Sequence, residues 1–292
     1  MSLGLDKIRI GVCQLESDLA GPDHDACEAN WSRALSAMDS VEGSQDVDLW
    51  VFGEGYLNGY ESGELLWTCA VHESETDPWV QRLVEESARR DAVIIMGATT
   101  HKGSFPGDLY NSAIIVDSGR YLGTYNKNHV AAFVFEGDRL GKERVFWSPG
   151  NELGVWHTTA GVIGVEICYD VMFPEVARSL SLLGAELIVN VSAAVTSFET
   201  FWDHVLPTRA TENAVWYLHT SVVGKQRDTT LFGGSRLFDP FGKLIAEAPR
   251  GSEAVFTAEV DHGRLLHARG TTHHFANRNP ALYAPVTAAA KA

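Results

Sequence analysis

Five apolar, strand-like runs spread along the chain constrain its fold most: IRIGVCQL at 8–15, DLWVFGE at 48–54, AVIIMGAT at 92–99, NSAIIVDS at 111–118 and LIVNVSAA at 187–194. Several lack a clean apolar–polar alternation, as expected of strands covered on both faces rather than wetted on one. Helical stretches fall between many of them, over roughly 27–40, 77–90, 174–184 and 202–215. Pro78 and Pro174 stand where a first helical turn tolerates a missing N–H. This alternation predicts an α/β layered fold. With no internal repeat or Pro/Ser-rich linker, the simplest partition is one domain over 1–270, followed by a tail, 271–292, that is poorly ordered or docks on a partner subunit.

Charge narrows the partners. Lys and Arg total 23 against 38 Asp and Glu, a formal net charge of −15 with no basic run, which argues against a nucleic-acid or anionic-membrane surface. Small neutral or cationic ligands fit better. No stretch approaches the ~20 apolar residues of a membrane helix, and the first residues, MSLGLDKIRIGV, lack the pattern of a secretory leader. The cysteines Cys13, Cys27, Cys69 and Cys168 form no CxxC pair, so free thiols in a reducing, cytoplasmic setting are expected.

Three residues end or follow strand-like runs, where α/β sheets assemble their sites. Glu54 closes LWVFGEGY between Gly53 and Gly55, which would allow close backbone approach; a carboxylate emerging from an apolar strand has its pKa raised toward useful acid–base values. Taken alone, it reads more readily as a solvated loop carboxylate or a salt-bridge partner. Lys127 in GTYNKNHV reads alone as a surface lysine. Cys168 ends the apolar run GVIGVEICYD, and FPEVARSLSLL then begins a helix, a strand–elbow–helix that would lend a thiol thiolate character. Cys13, Cys27 and Cys69 read as inert buried cysteines.

Together these residues resemble the nitrilase superfamily, the carbon–nitrogen hydrolases with a Glu–Lys–Cys site. Glu54 matches the glutamate of the first block, Lys127 in YNKNHV the YxKxH-type lysine, and Cys168 in EICYDVMFPEVAR the nucleophile. RATENAVW at 209–216 and GGSRLFDPFGKL at 233–244 are similar to two further family segments. The family carries a second glutamate before a Pro-Gly pair, and ERVFWSPG offers Glu143, with Phe146 and Trp147 between it and the pair. Glu136 competes, but the spacing and aromatic neighbours favour Glu143. The resemblance implies a four-layer αββα sandwich that pairs as a homodimer, with no metal or organic cofactor. No HExxH is present, and His273–His274 lies away from every motif.

In the implied cycle Cys168 attacks a carbonyl carbon, Glu54 shuttles protons, Glu143 orients Lys127 and the substrate, and Lys127 with the N–H of Tyr169 holds the oxyanion. Cys168-Tyr169-Asp170 looks like the amidase and carbamoylase branches, whereas true nitrilases usually show Cys-Trp-Glu. Members that bind a substrate carboxylate often carry Arg three or four residues past the cysteine; here Val171 and Met172 stand there, so an uncharged, apolar acyl group is expected. Candidate lining residues are Tyr60, Phe133, Phe135, Trp147, Met172, Phe198, Phe201 and Trp202, with Tyr169 and Ala193 also at the substrate and the segment 193–204 as one wall. Taken singly, each aromatic reads more readily as core. The expected activity is hydrolysis of a small carboxamide to acid and ammonia. An N-carbamoyl hydrolase is the nearest alternative, a non-catalytic scaffold is the alternative outside enzymes, and acyl transfer to another acceptor is chemically compatible.

Overall fold

In the strand Lys7–Gln14, Ile8, Ile10 and Val12 bury on one face and Cys13 on the other; in Val93–His101, Val93 and Ile95 oppose Ile94, Met96 and Ala98 in the same way. Both faces of these strands need cover, and the computed structural model, which describes residues 7–21, 25–103, 107–131 and 143–288, shows what covers them. One sheet runs in spatial order Ala254–Asp261, Lys7–Gln14, Leu49–Phe52, Val93–His101, Leu109–Asp117 and Arg120–Asn126, with Val71–His72 also paired to Val93–His101. A second runs Leu244–Glu247, Arg236–Phe238, Trp216–Ser221, Leu187–Ser192, Gly161–Ile167 and Val155–Thr158.

The sheets pack face to face through an apolar layer of Ile10, Val12, Leu49, Val51 and Ile95 against Val165, Ile167, Val189, Val191 and Leu218. The helices Ala26–Asp39 and Pro78–Arg90 cover the outside of the first sheet through Trp31, Met38, Val80 and Leu83. Pro174–Leu182 and Glu199–Asn213 cover the second through Ala177, Leu180, Leu206 and Ala210. The result is the αββα sandwich that the sequence resemblance implied.

Helix starts follow local chemistry. Asp25 accepts the Glu28 N–H, while Asp77 accepts the Trp79 N–H just before Pro78. The fourth helix begins at Glu199, earlier than the 202 expected; its opening residues Glu199 and Thr200 are polar and not buried. The helix His262–Thr272 was not anticipated; only Leu265 and Ala268 of it are buried. Its Arg269 donates to the carbonyls of Ala185 and Ala214, a structural role. No described helix is long and apolar enough to cross a membrane.

Each sheet has a parallel core, Lys7–Gln14 with Leu49–Phe52 and Val93–His101 in one, Gly161–Ile167 with Leu187–Ser192 and Trp216–Ser221 in the other. Carboxyl ends of parallel strands are where such sheets bind ligands. Glu54, Cys168 and Ala193 all follow those ends. There the sheets also join: the Ser192 carbonyl accepts the N–H groups of Glu54 and Val222. Only glycine permits this approach, since a Cβ on Gly97 would lie 2.0 Å from the Gly53 carbonyl oxygen and one on Gly53 2.4 Å from the Val222 nitrogen.

Candidate active site

Glu54 projects fully buried from the joint between the sheets. Its Oε1 accepts from Lys127 Nζ at 2.7 Å and Asn111 Nδ2 at 2.6 Å, and its Oε2 accepts the Ala193 N–H at 2.7 Å. Lys127 follows the strand Arg120–Asn126 and is equally buried. Its ammonium also donates to Glu143 Oε1 at 2.7 Å. Glu143 opens the helical turn Glu143–Phe146, and far from being a surface charge it takes the Tyr60 hydroxyl at 2.6 Å and the Ala131 N–H at 2.6 Å. Its competitor Glu136 lies outside the described residues, as do Phe133 and Phe135.

Electrostatics divide the labour. Burial pushes the Glu54 carboxyl above its ordinary range against the pull of Lys127, with the Glu143 charge adding to the rise. Burial works against the Lys127 ammonium, but Glu143 and Glu54 outweigh it and hold lysine well above its usual value. The two carboxylates share this one ammonium beside the cysteine.

Cys168 directly follows Gly161–Ile167, and its backbone is left-handed, φ 45°, a strained conformation for a side chain other than glycine. A 3₁₀ turn, Cys168–Met172, separates it from the helix starting at Pro174. Burial pushes the thiol well above its normal range; the Glu54 charge adds, Lys127 opposes, and a hydrogen bond to Glu54 favours the protonated form. The thiolate character expected of a helix start is therefore opposed here: burial and the Glu54 charge favour the thiol. The inert reading of Cys69 also changes. It is only half-buried, and a hydrogen bond from the Cys27 thiol lowers its pKa.

The strained turn is bolted in place. Asp170 accepts from the Ile167 N–H at 3.0 Å, the Tyr125 hydroxyl at 2.7 Å and the His129 N–H at 3.0 Å. Arg209 donates to the Val171 carbonyl at 3.0 Å, and Asn190 reaches the Cys168 carbonyl at 3.5 Å. Thus the aspartate of the Cys-Tyr-Asp run and the arginine of RATENAVW act on the backbone around the cysteine.

Cys168 opens onto a cavity of about 130 Å³. Its walls include Tyr60, Trp147, Tyr169, Met172, Phe198, Phe201 and Trp202, together with Ala193 to Val195, so the segment 193–204 does form one wall. Engineered cavities of ~150 Å³ hold a benzene ring. Sequence reasoning missed Asn111 and the Ala131 N–H, because one is mid-strand and the other a backbone donor. The signal for Asn111 is a polar residue at the head of the apolar run 111–118, and the missing link was its partner 57 residues away.

An αββα sandwich with a Glu–Lys–Glu cradle beside an elbow cysteine defines a class of hydrolase-like folds. The chain belongs to the carbon–nitrogen hydrolase family, whose model matches residues 9–269. It is 32% identical over 253 residues to an (R)-stereoselective amidase of Pseudomonas sp., covering 86% of this chain and 85% of that one. It is 30% identical to a nitrilase of Pyrococcus abyssi, covering 87% and 90%. Among solved structures, Nit3 of Saccharomyces cerevisiae, a member of branch 10 of the nitrilase superfamily, superposes with a TM-score of 0.81 at 25% identity, covering 93% of this chain and 96% of Nit3.

Proposed function

We propose that this protein is an amidase that hydrolyses a small carboxamide bearing no carboxylate, through a thioester on Cys168. The observation that carries the reading is the Lys127 ammonium held 2.7 Å from both Glu54 and Glu143 beside the cysteine that lines the cavity. The Cys168 sulfur adds to the amide carbon as its proton passes to Glu54. Lys127 and the Tyr169 N–H hold the oxyanion. Glu54 returns the proton to the leaving nitrogen, the C–N bond breaks and ammonia departs. Water then adds to the thioester, giving a proton to Glu54 that the departing sulfur recovers, and the acid is released.

None of the described cavity-lining residues is Lys or Arg, and Val171 and Met172 occupy the wall beside the cysteine. A substrate carboxylate there would be desolvated without a partner, at a cost of several kcal/mol. The same reading takes the working form as a cytoplasmic homodimer. Exposed Leu182, Tyr283 and Val286 border a groove beside the helix Pro174–Leu182, and the cysteines are free thiols. The test is ammonia release from neutral amides, dicarboxylic monoamides, N-carbamoyl amino acids and nitriles, with Cys168→Ala as the blank. Release chiefly from neutral amides supports the reading, and release chiefly from monoamides or N-carbamoyl compounds overturns it.

A further inference from the structure

Two carboxylates line the cavity, and their partners differ. Glu143 is occupied by Lys127, Tyr60 and the Ala131 N–H. Glu61 forms no ion pair among the described residues; its Oε1 accepts only the Thr229 hydroxyl at 3.1 Å. Nor is it a loose surface side chain. Its own N–H is held by Gln226 Oε1 at 3.1 Å, and Gln226 in turn donates to the Ser17 carbonyl at 3.1 Å. The two-stranded hairpin Val223–Gln226 and Thr229–Phe232 therefore fixes Glu61 by backbone and side chain together. The guanidinium of Arg227 lies against Gly63, bonded to the Ser62 carbonyl at 3.2 Å, and makes no ion pair with Glu61.

A half-buried carboxylate with no ion pair among the described residues, in a cavity whose other walls include Phe146, Trp147, Phe198, Phe201 and Trp202, matches the chemistry that binds an ammonium: an anion and several aromatic faces. We propose that Glu61 is a specificity-determining residue that reads a cationic amino group on the acyl portion of the substrate, so that amino-substituted carboxamides are preferred over their neutral isosteres. This rests on the amidase reading of the same cavity and names its substrate class. It also fits the chain's net charge of −15, which favours approach of a cation.

The test compares 6-aminohexanamide with heptanamide, and 4-aminobutanamide with pentanamide, pairs that differ by ammonium against methyl. The natural enzyme should favour the ammonium member of at least one pair about tenfold in kcat/KM, and Glu61→Gln should bring that ratio to about one. Equal ratios in the two enzymes, or preference for the dicarboxylic monoamide of matched length, would overturn the proposal. Calorimetric titration of the same amides into Cys168→Ala and Cys168→Ala/Glu61→Gln protein reads Glu61 without turnover. Selective ammonium binding that disappears with Glu61 supports the proposal even if the amidase reading fails, and equal affinities refute it even if that reading stands.

Discussion

The side chain of Cys168 meets one buried polar cluster and its backbone meets another. In the first, Lys127 bridges Glu54 and Glu143 at the cavity. In the second, Glu166 accepts from the Tyr217 hydroxyl and from Asn190 Nδ2 at 3.1 Å, while Asn190 Oδ1 takes Ser192 and His219. Both are buried, but only the first holds a cation. In the first, burial pushes the Glu54 carboxyl up, but Glu143 and Glu54 together hold the Lys127 ammonium well above its usual value. Around Glu166, which has no ion pair among the described residues, burial raises the carboxyl to about 7, and it drives His219 well below the usual histidine value. Enclosure alone does not mark chemistry; charges kept at the edge of a cavity do.

That contrast breaks most sharply at Lys127. Lys127→Met should cut kcat by about 10³-fold or more and destabilise the fold by about 3–5 kcal/mol, because two carboxylates lose their shared counter-charge. The stability loss, read by denaturant titration, should shrink toward pH 5 as the Glu54 carboxyl, already pushed up by burial, takes up a proton. A variant with wild-type stability at pH 8 would mean the ion cluster is not what holds this joint.

Glu166→Gln tests the other side through its sign. A folded-state value of about 7 exceeds the ordinary 4.5, so the folded protein binds the extra proton, and wild-type stability is lost as pH rises through that window. The variant, unable to ionise, should gain on wild type between pH 5 and 8 by up to about 3 kcal/mol. Parallel stability–pH curves would show that Glu166 stays ionised. The smallest effect is expected at Tyr60→Phe, which removes one hydrogen bond to Glu143 and keeps the cavity wall. We expect about 1–2 kcal/mol of lost transition-state stabilisation, seen as roughly a tenfold fall in kcat with little change in KM. An unchanged kcat would make Tyr60 a wall residue only.

The two clusters were unequally legible. Glu54, Lys127, Glu143 and Cys168 stand in short motifs in chain order, so a resemblance exposes them. Glu166, Asn190, Tyr217 and His219 are single polar residues in apolar runs, joined only by strand register: Asn190 pairs with Glu166 and with His219 across the sheet. The same limit hid Asn111. The strands themselves were visible as apolar runs because both faces are buried, while the helix His262–Thr272 was not, since Leu265 and Ala268 alone give no period. The state of the Cys168 thiol is illegible for a related reason: a helix start is local in sequence, but the burial that raises the thiol, and the Glu54 charge that adds to it, come from distant parts of the chain.

The most direct test of the account is to quench the enzyme during turnover of a neutral amide and map the mass of the Cys168 peptide. The account predicts an acyl adduct on Cys168, absent from Cys168→Ala, which releases no ammonia. Ammonia release that persists in Cys168→Ala would contradict it.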